Sequence, residues 1–180
     1  MQVPSGRVLD RSDIHIICRM QEVGLVEHRD KPFTLVSGIE SNVYVKGRQD
    51  LTDHPDLVWK VGRKIAETVY EHSPGFLGEP CLIGVPLVGR TFAQAASMAS
   101  LQLRAESSTR LPTISFRVMR EQKKQHGAHQ KWIEGDYDSF HRFWSVDNVA
   151  TDGRSKVVFA DRAEEDGYPS RQMPILIWID

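Results

Sequence analysis

The sequence has 180 residues, of which 40% are hydrophobic and 26% are charged, and it carries a net charge of −1 with a pI near 6.7. This composition is typical of one globular domain with a substantial core and excludes a largely disordered chain. The near-neutral charge offers no basic field for nucleic acid, no apolar run approaches the ~20 residues that span a bilayer, and the N-terminus lacks the layout of a signal peptide. We therefore expect a cytoplasmic protein that binds neither nucleic acid nor membrane.

The first part of the chain predicts a helix, a pair of strands and a second helix. Ser12-Asp13 has the composition of an N-cap, and Gly24 is a suitable end for a short helix. Two apolar segments, 33–36 and 42–45, flank a Ser-Gly turn and predict a hairpin-like strand pair. Apolar residues then recur every four positions in 57–69, which predicts a helix that opens near Pro55.

The rest of the chain alternates strands with helices, which implies right-handed crossovers and a parallel sheet. The predicted strands are 81–85, 114–118, 142–146 and 175–179, and the predicted helices are 91–99 and 156–165. Cys18 and Cys81 lie in apolar segments far apart in the sequence, so we expect both to pack in the core. No cysteine spacing indicates a zinc site, and the sequence assigns no metal ligand.

The most informative motif follows the predicted strand 142–146. That strand delivers Asp147-Asn148 to its carboxyl end, and the turn Thr151-Asp152-Gly153-Arg154-Ser155 leads into a helix. Ligands of open α/β sheets bind where strands end and helices begin. Backbone N–H groups of the turn and the helix N-terminus suit a phosphate, and the polar pair suits a sugar diol or a hydrated cation. The motif predicts a phosphorylated-sugar pocket, although a turn without chemistry has the same Asp-Gly composition.

Two further segments carry candidate chemistry. Residues 120–131 hold four cationic side chains, two histidines and one carboxylate. A cationic loop of this kind suits a lid over a polyphosphate leaving group, and the alternative is a solvated surface loop. Residues 84–90 contain glycines that would allow an anion to approach the backbone, and close packing between strand and helix explains them equally well.

Four segments resemble orotate phosphoribosyltransferases, in the order in which that family has them. Residues 33–48 resemble the family's N-terminal signature, Phe-x-Leu-Lys-Ser-Gly-x-x-Ser-Pro-x-Tyr with an arginine soon after. Gly84-Val85-Pro86 with Gly89 resembles the loop that contacts pyrophosphate. Residues 146–155 are similar to the phosphoribosyl-pyrophosphate signature of type I phosphoribosyltransferases. The mobile-loop motif Arg-Lys-x-x-Lys-x-His-Gly and its Glu-Gly exit are matched by Arg120, Lys124, His126, Gly127 and Ile133-Glu134-Gly135.

The resemblance implies a single α/β domain over 1–180 with the type I phosphoribosyltransferase fold. Its Rossmann-like, mainly parallel sheet would be flanked by helices, with an N-terminal hood at 1–50, a core at 51–180 and a mobile loop at about 120–136. The implied reaction transfers the 5-phosphoribosyl group from phosphoribosyl pyrophosphate to orotate, giving orotidine 5′-monophosphate and pyrophosphate in de novo pyrimidine (UMP) biosynthesis. The implied cofactor is Mg²⁺, and the implied assembly is a homodimer in which the loop closes over the neighbouring subunit's site.

The same resemblance assigns roles to individual residues. Lys124 is the principal loop residue in catalysis, assisted by Arg120 and His126, and Asp147 is a further catalytic residue. The 5′-phosphate lies in the turn and the ribose hydroxyls lie at the polar pair. The substrate-binding residues are therefore Asp147, Asn148, Thr151, Asp152, Gly153, Arg154 and Ser155, together with Tyr44 and Lys123.

Several positions depart from the family pattern. Val36 replaces a lysine of the N-terminal signature, Glu121 replaces the second loop cation, and Asn148 replaces the second acid of the ribose pair. In the family an arginine that contacts the orotate carboxylate follows the last strand, and this sequence ends at Asp180, so we expect a chain shortened at its C-terminus. These departures favour a second hypothesis, a non-catalytic nucleotide-binding or regulatory protein of the same fold. A phosphoribosyltransferase for another base, such as a purine, is a third, disfavoured because residues 33–48 resemble the orotate branch.

Overall fold

The structure is a computed structural model that describes residues 8–34, 38–47, 51–73, 78–124, 130–150 and 153–179. The helices and strands of these residues follow one another as α1 (Arg11–Glu22), β1 (Val26–Thr34), β2 (Glu40–Val45), α2 (Pro55–Glu71), β3 (Glu79–Gly84), α3 (Val88–Glu106), β4 (Ser115–Val118), β5 (His141–Val149), α4 (Arg154–Glu165) and β6 (Ile175–Ile179). Within these ranges no helix is both long and apolar enough to cross a membrane.

The central sheet is parallel, as the alternation of strands and helices predicts. Its four strands lie in the order β4-β3-β5-β6. In the middle of the sheet, Leu82 of β3 is opposite both Phe116 of β4 and Trp144 of β5. The chain leaves β3 toward β4 on one side and returns to β5 on the other, so the strand order reverses next to β3. A reversal of this kind opens a crevice at the carboxyl ends of the strands.

Alternate residues of the central strands face two separate parts of the core. In β3, Leu82 packs with the residues of α2 and α3, whereas Cys81 and Ile83 pack with Phe159 of α4 on the other face. This alternation follows from the twofold periodicity of a strand, and its apolar residues on both faces explain why the helices cover both. The helices therefore flank the sheet as the resemblance implies.

The N-terminal strands form a separate two-stranded antiparallel sheet, the hood. Val26 pairs with Val45 and Thr34 pairs with Glu40, with an irregularity between His28 and Phe33. The strand pair is as predicted, but its first strand starts at Val26, seven residues before the apolar segment that predicts it. The segment 26–32 has no apolar alternation, and its extended form comes from pairing with β2.

Three local predictions are wrong. Helix α1 is capped by Asp10 and not by Ser12-Asp13, because Asp10 accepts from the Asp13 N–H while Asp13 accepts from the Asp10 N–H, a capping box. Helix α3 extends beyond 91–99 at both ends, since Gly89 is tolerated in its first turn. Cys18 is exposed, because α1 buries Ile16 and Met20 on one face and turns the cysteine away from it. Cys81 is buried as expected.

Candidate functional site

The crevice beside β3 is closed at its base by backbone contact between β3 and β5. Gly84 is opposite Val146, and the Val85 N–H donates to the Val146 carbonyl oxygen over 2.8 Å. Strand β5 continues past this point to Val149, so Asp147 and Asn148 are the two residues before its last one. The fold thus places the predicted polar pair at the reversal of strand order, where ligands of open α/β sheets bind.

Asp147 is held in place by two contacts. Its side chain is only 6% exposed, one carboxylate oxygen accepts from the Asn148 N–H at 2.8 Å, and the other lies 2.7 Å from the Lys156 ammonium. The same ammonium donates to the Val149 carbonyl and to Ser155 Oγ, the latter at 3.1 Å. The predicted ribose-binding carboxylate is therefore neutralised by a cation from the first turn of α4.

The side chain of Asn148 contacts the N-terminal part of the chain at the end of the hood. Its Nδ2 donates to the carbonyl of Gly47 over 2.7 Å. A Cβ at Gly47 would lie 2.7 Å from that nitrogen and 2.6 Å from Val149 Cγ2, so a larger residue there would displace the Asn148 and Val149 side chains. This contact, across about a hundred residues of sequence, seats the end of β2 against the end of β5.

Helix α4 begins directly beside this polar pair. Gly153 is the N-cap residue with a φ of 76°, a left-handed conformation that glycine adopts at little cost. Arg154 and Ser155 form the exposed first turn. Backbone N–H groups in a first turn lack partners within the helix and favour an anion. Thr151 and Asp152, the other predicted phosphate-binding residues, lie outside the described residues.

The cationic loop leaves the sheet from the end of β4 and returns alongside it. Met119 and Ile133 form an antiparallel bridge, and the Arg120 N–H donates to the Trp132 carbonyl at 2.7 Å. The loop therefore has an ordered base. His126, the predicted catalytic histidine, lies outside the described residues.

The cations of this loop differ in their partners. Arg120 pairs with Glu134 at 2.5 Å, and Lys131 pairs with Asp136. Lys124 is exposed and pairs with no carboxylate among the described residues. Of the described loop cations, Lys124 is thus the one whose charge is available to a ligand.

Lys123, predicted to bind substrate, is held elsewhere. Its ammonium pairs with Glu165, which also accepts from the Trp132 indole N–H at 2.6 Å. The Lys123 contact, followed by that of Trp132, lowers the pKa of Glu165 from its ordinary value. Glu165 lies ten residues beyond Ser155 on α4. Glu165 is therefore about 15 Å along the helix from Ser155, at a rise of ~1.5 Å per residue, and its contact holds the Lys123 ammonium at that far end of α4.

Comparisons with known proteins agree with this geometry. The orotate phosphoribosyltransferase of Ruegeria sp. (strain TM1040) is 28% identical over 160 residues, which cover 88% of this chain and 64% of the relative. The solved orotate phosphoribosyltransferase of Francisella tularensis superposes with a TM-score of 0.61 at 14% identity, over 92% of this chain and 71% of its own.

This chain has the orotate phosphoribosyltransferase fold. The solved Mycobacterium tuberculosis orotate phosphoribosyltransferase superposes with a TM-score of 0.59 at 17% identity, covering 93% of this chain and 95% of its own. No protein-family model matches the sequence. The chain spans just under two thirds of the length of the Ruegeria relative. The comparisons confirm the type I phosphoribosyltransferase fold and the resemblance on which it was predicted.

Within this fold, the glycines at the end of β3 and in the first turn of α3 serve close packing. A Cβ at Gly89 would lie 2.1 Å from the Val146 carbonyl oxygen, and one at Gly84 would lie 2.4 Å from Arg90 Cα. These contacts let α3 approach the sheet. Arg90, in the first turn of α3, lies 3.9 Å from Glu121, so the acid that replaces a loop cation faces the start of α3.

Tyr44 lies on β2 of the hood, three residues before the Gly47 that contacts Asn148. Its ring packs against Phe33 with 5.3 Å between centroids, and the residue is 41% exposed. Sequence reasoning missed Gly47 and Lys156, which contact Asn148 and Asp147. The signal for Lys156 was present, because a cation in the first turn of a helix opposes the helix dipole and needs a partner.

Proposed function

We propose that this protein is an orotate phosphoribosyltransferase, which converts orotate and phosphoribosyl pyrophosphate to orotidine 5′-monophosphate and pyrophosphate. The observation that carries the proposal is the position of Asp147. It lies among the last residues of β5, at the reversal of strand order, and its carboxylate contacts Lys156 in the first turn of α4. A sugar diol and a phosphate can therefore bind within one short segment. The names of the similar proteins supply the base, orotate.

In the proposed reaction, the bond between C1′ and the pyrophosphate oxygen breaks, and the oxygen keeps the electron pair. The ribose gains positive charge, N1 of orotate forms the new bond to C1′, and its proton passes to solvent. Asp147 orients the ribose hydroxyls, and the first turn of α4 holds the 5′-phosphate. Lys124 moves toward the pyrophosphate as its charge develops, so it stabilises the transition state more than the bound substrate.

The residues of the site fit Mg²⁺ that is bound largely through the substrate. Among the described residues, no group of three His, Cys, Asp or Glu side chains could hold a cation alone. Mg²⁺ commonly uses one or two carboxylates together with substrate phosphates, and Asp147 is such a carboxylate. When bound, the ion would neutralise the charge of the pyrophosphate.

One observation favours a second candidate function, a protein of this fold that binds a phosphoribosyl ligand without catalysis. The carboxylate of Asp147 is paired with Lys156. The family pattern has a second acid at the next position, where this chain has Asn148. The ribose site thus lacks free negative charge among the described residues. Binding of a sugar phosphate needs less of this charge than stabilisation of a cationic ribose does.

An assay of orotate consumption distinguishes the two candidates. We expect loss of orotate absorbance only when phosphoribosyl pyrophosphate and Mg²⁺ are both present. Saturable binding of phosphoribosyl pyrophosphate without turnover would instead establish the non-catalytic function. Adenine, guanine and hypoxanthine in the same assay test whether another base is the acceptor.

The role of Lys124 is tested against a matched lysine of the same loop. Lys124→Ala should lower kcat about 100-fold with little change in the KM for phosphoribosyl pyrophosphate, because the interaction strengthens in the transition state. Lys131→Ala should retain most of the rate, since Asp136 engages that ammonium. Equal rates for the two variants would refute the assignment.

The finer expectations, a homodimer in the cytoplasm, are part of the proposal. They rest on the resemblance, in which the loop of one subunit covers the site of the other. Light scattering on the purified chain measures the assembly. Mixing inactive Lys124→Ala and Asp147→Ala subunits should restore activity if each site takes Lys124 from its partner. A monomeric enzyme with full activity would contradict the shared site.

A further inference from the structure

A cavity of about 520 Å³ lies at the end of the sheet that is opposite the crevice, and we call it the β5-edge cavity. It is lined by His141, the first residue of β5, which precedes Asp147 by six residues. At a rise of ~3.3 Å per residue the two residues are about 20 Å apart, so the cavity is separate from the crevice. Its volume falls in the range of roughly 300–1,000 Å³ that is usual for pockets of small organic ligands.

One wall of the β5-edge cavity is the free edge of β5. Strand β6 pairs with β5 only from Ser145 onward, whereas β3 pairs with it from His141. Residues 141–144 therefore have a paired strand on one side only, and all four line the cavity. The free edge of a strand presents backbone N–H and C=O groups, which can bind the polar edge of a planar ligand.

A second wall of the cavity is aromatic. The Tyr137 ring centroid lies 5.7 Å from that of Phe143 and 5.8 Å from that of Tyr168, and the Arg117 guanidinium lies 4.8 Å from the Phe143 centroid. These contacts hold Tyr137 against the core, yet the residue is 42% exposed. An exposed ring that is fixed in this way provides a face on which a planar base can stack.

The side chains that line the cavity favour an anion. They include His72, His141 and Arg142, and no Asp or Glu of the described residues is among them. Asp138 orients His141, because both of its carboxylate oxygens lie 2.8 Å from His141 Nδ1. That contact uses Nδ1 and leaves Nε2 for a ligand. The carboxylate of Asp138 is also paired with Arg117 at 3.0 Å, which compensates its charge.

We propose that the β5-edge cavity binds a nucleoside monophosphate. The base stacks on Tyr137 and bonds to the strand edge, and the phosphate binds at His141 and Arg142. A lone planar anion such as orotate needs only part of the volume, and inorganic phosphate leaves the aromatic wall unused. The inference does not depend on the proposed function, since none of the described residues of the phosphoribosyl site lines this cavity.

The test is calorimetric titration of the full chain with uridine 5′-monophosphate, with excess phosphoribosyl pyrophosphate and Mg²⁺ present to occupy the crevice. We expect saturable binding, and at least tenfold weaker binding of uridine and of inorganic phosphate, because each lacks one part of the recognised ligand. Tyr137→Ala should bind the nucleotide at least tenfold more weakly, and Tyr137→Phe, which keeps the ring, should stay within about threefold of wild type. Phe140→Ala is the matched control, because Phe140 is an exposed aromatic residue of the same segment that does not line the cavity.

A second pair of variants tests the charge argument even if Tyr137→Ala is unstable. Arg142→Gln should weaken nucleotide binding at least fivefold. Arg171→Gln should match wild type, since Glu164 holds that guanidinium at 2.8 Å and Arg171 does not line the cavity. Thermal unfolding of each variant checks that the fold is intact.

Three results would overturn the inference. The first is the absence of saturable nucleotide binding, and the second is binding that neither Tyr137→Ala nor Arg142→Gln weakens. The third is orotate binding that is as tight as that of the nucleotide and equally dependent on Tyr137, which would make the ligand an aromatic carboxylate.

These outcomes are independent of the orotate assay. Nucleotide binding that depends on Tyr137, in a protein that does not consume orotate, would support the inference and remove the enzyme function. Orotate turnover in a protein without such binding would remove the inference and leave the proposed function standing.

Discussion

Gly89→Ala separates two explanations for the glycine in the first turn of α3, which are close packing and access for an anion. If Gly89 serves packing, the variant should be less stable in the absence of any ligand. If it serves only to admit an anion, stability without ligand should stay unchanged. The structure favours packing, because the added Cβ would lie 2.1 Å from the Val146 carbonyl oxygen.

The size of the effect follows from that distance. Ordinary contact begins at 3.4 Å, so α3 would have to retreat from β5 by about 1.3 Å. The opposing atom is the backbone of a central strand and cannot rotate away. Overpacking of this kind costs about 1–3 kcal/mol, and the better helix propensity of alanine returns less than ~1 kcal/mol. We expect a net loss of about 1–2 kcal/mol, or roughly 2–8 °C in Tm for a chain of this size.

Urea unfolding of the free protein, followed by circular dichroism, measures this loss. Gln94→Ala is the matched control, since Gln94 lies exposed on the same helix and its change should stay within about 0.5 kcal/mol. A Gly89→Ala midpoint equal to wild type, together with weakened phosphoribosyl pyrophosphate binding, would refute the packing argument and restore the anion-binding one.

Two further predictions concern ion pairs, one beside β5 and one in the cationic loop. The contacts of His141, followed by that of Arg117, lower the pKa of Asp138 from 3.8 to about 2. A lowered acid pKa contributes stability that is present above about pH 4 and is lost as the pH falls through 2. Asp138→Asn should therefore flatten the decline of the urea midpoint between pH 4 and 2, and an unchanged pH profile would exclude this origin. In the loop, Glu134→Gln should release Arg120 and tighten pyrophosphate binding about threefold at low salt, with the gain lost at high salt. Calorimetry at two ionic strengths measures it, and equal binding by both proteins would show that the pair does not restrain Arg120.

The sequence predicts the core elements well because their apolar residues repeat at the period of the element. The structure has a helix, α2, where apolar residues recur every four positions, and it has strands, β3 and β6, at the two continuous apolar runs. Elements stabilised by a partner are harder to predict. The first seven residues of β1 have no apolar alternation, and Cys18 lies in an apolar segment but on the exposed face of α1.

The same division holds for the site. The strand, the polar pair and the following turn are contiguous, so the sequence alone places Asp147 at the carboxyl end of a strand and before a helix. It also supplies the motifs that resemble orotate phosphoribosyltransferases. Local patterns of this kind depend on backbone propensities and short-range spacing, which neighbouring residues determine.

Only the tertiary structure decides what surrounds that carboxylate. The contact of Asn148 with Gly47 joins residues a hundred positions apart, and the partners of Lys123 and Arg90 come from other elements. The pairing of Asp147 with Lys156 depends on how α4 leaves the sheet. Charge at a site is the sum over whatever the fold brings together, so the neutral ribose site becomes visible only when the chain is folded.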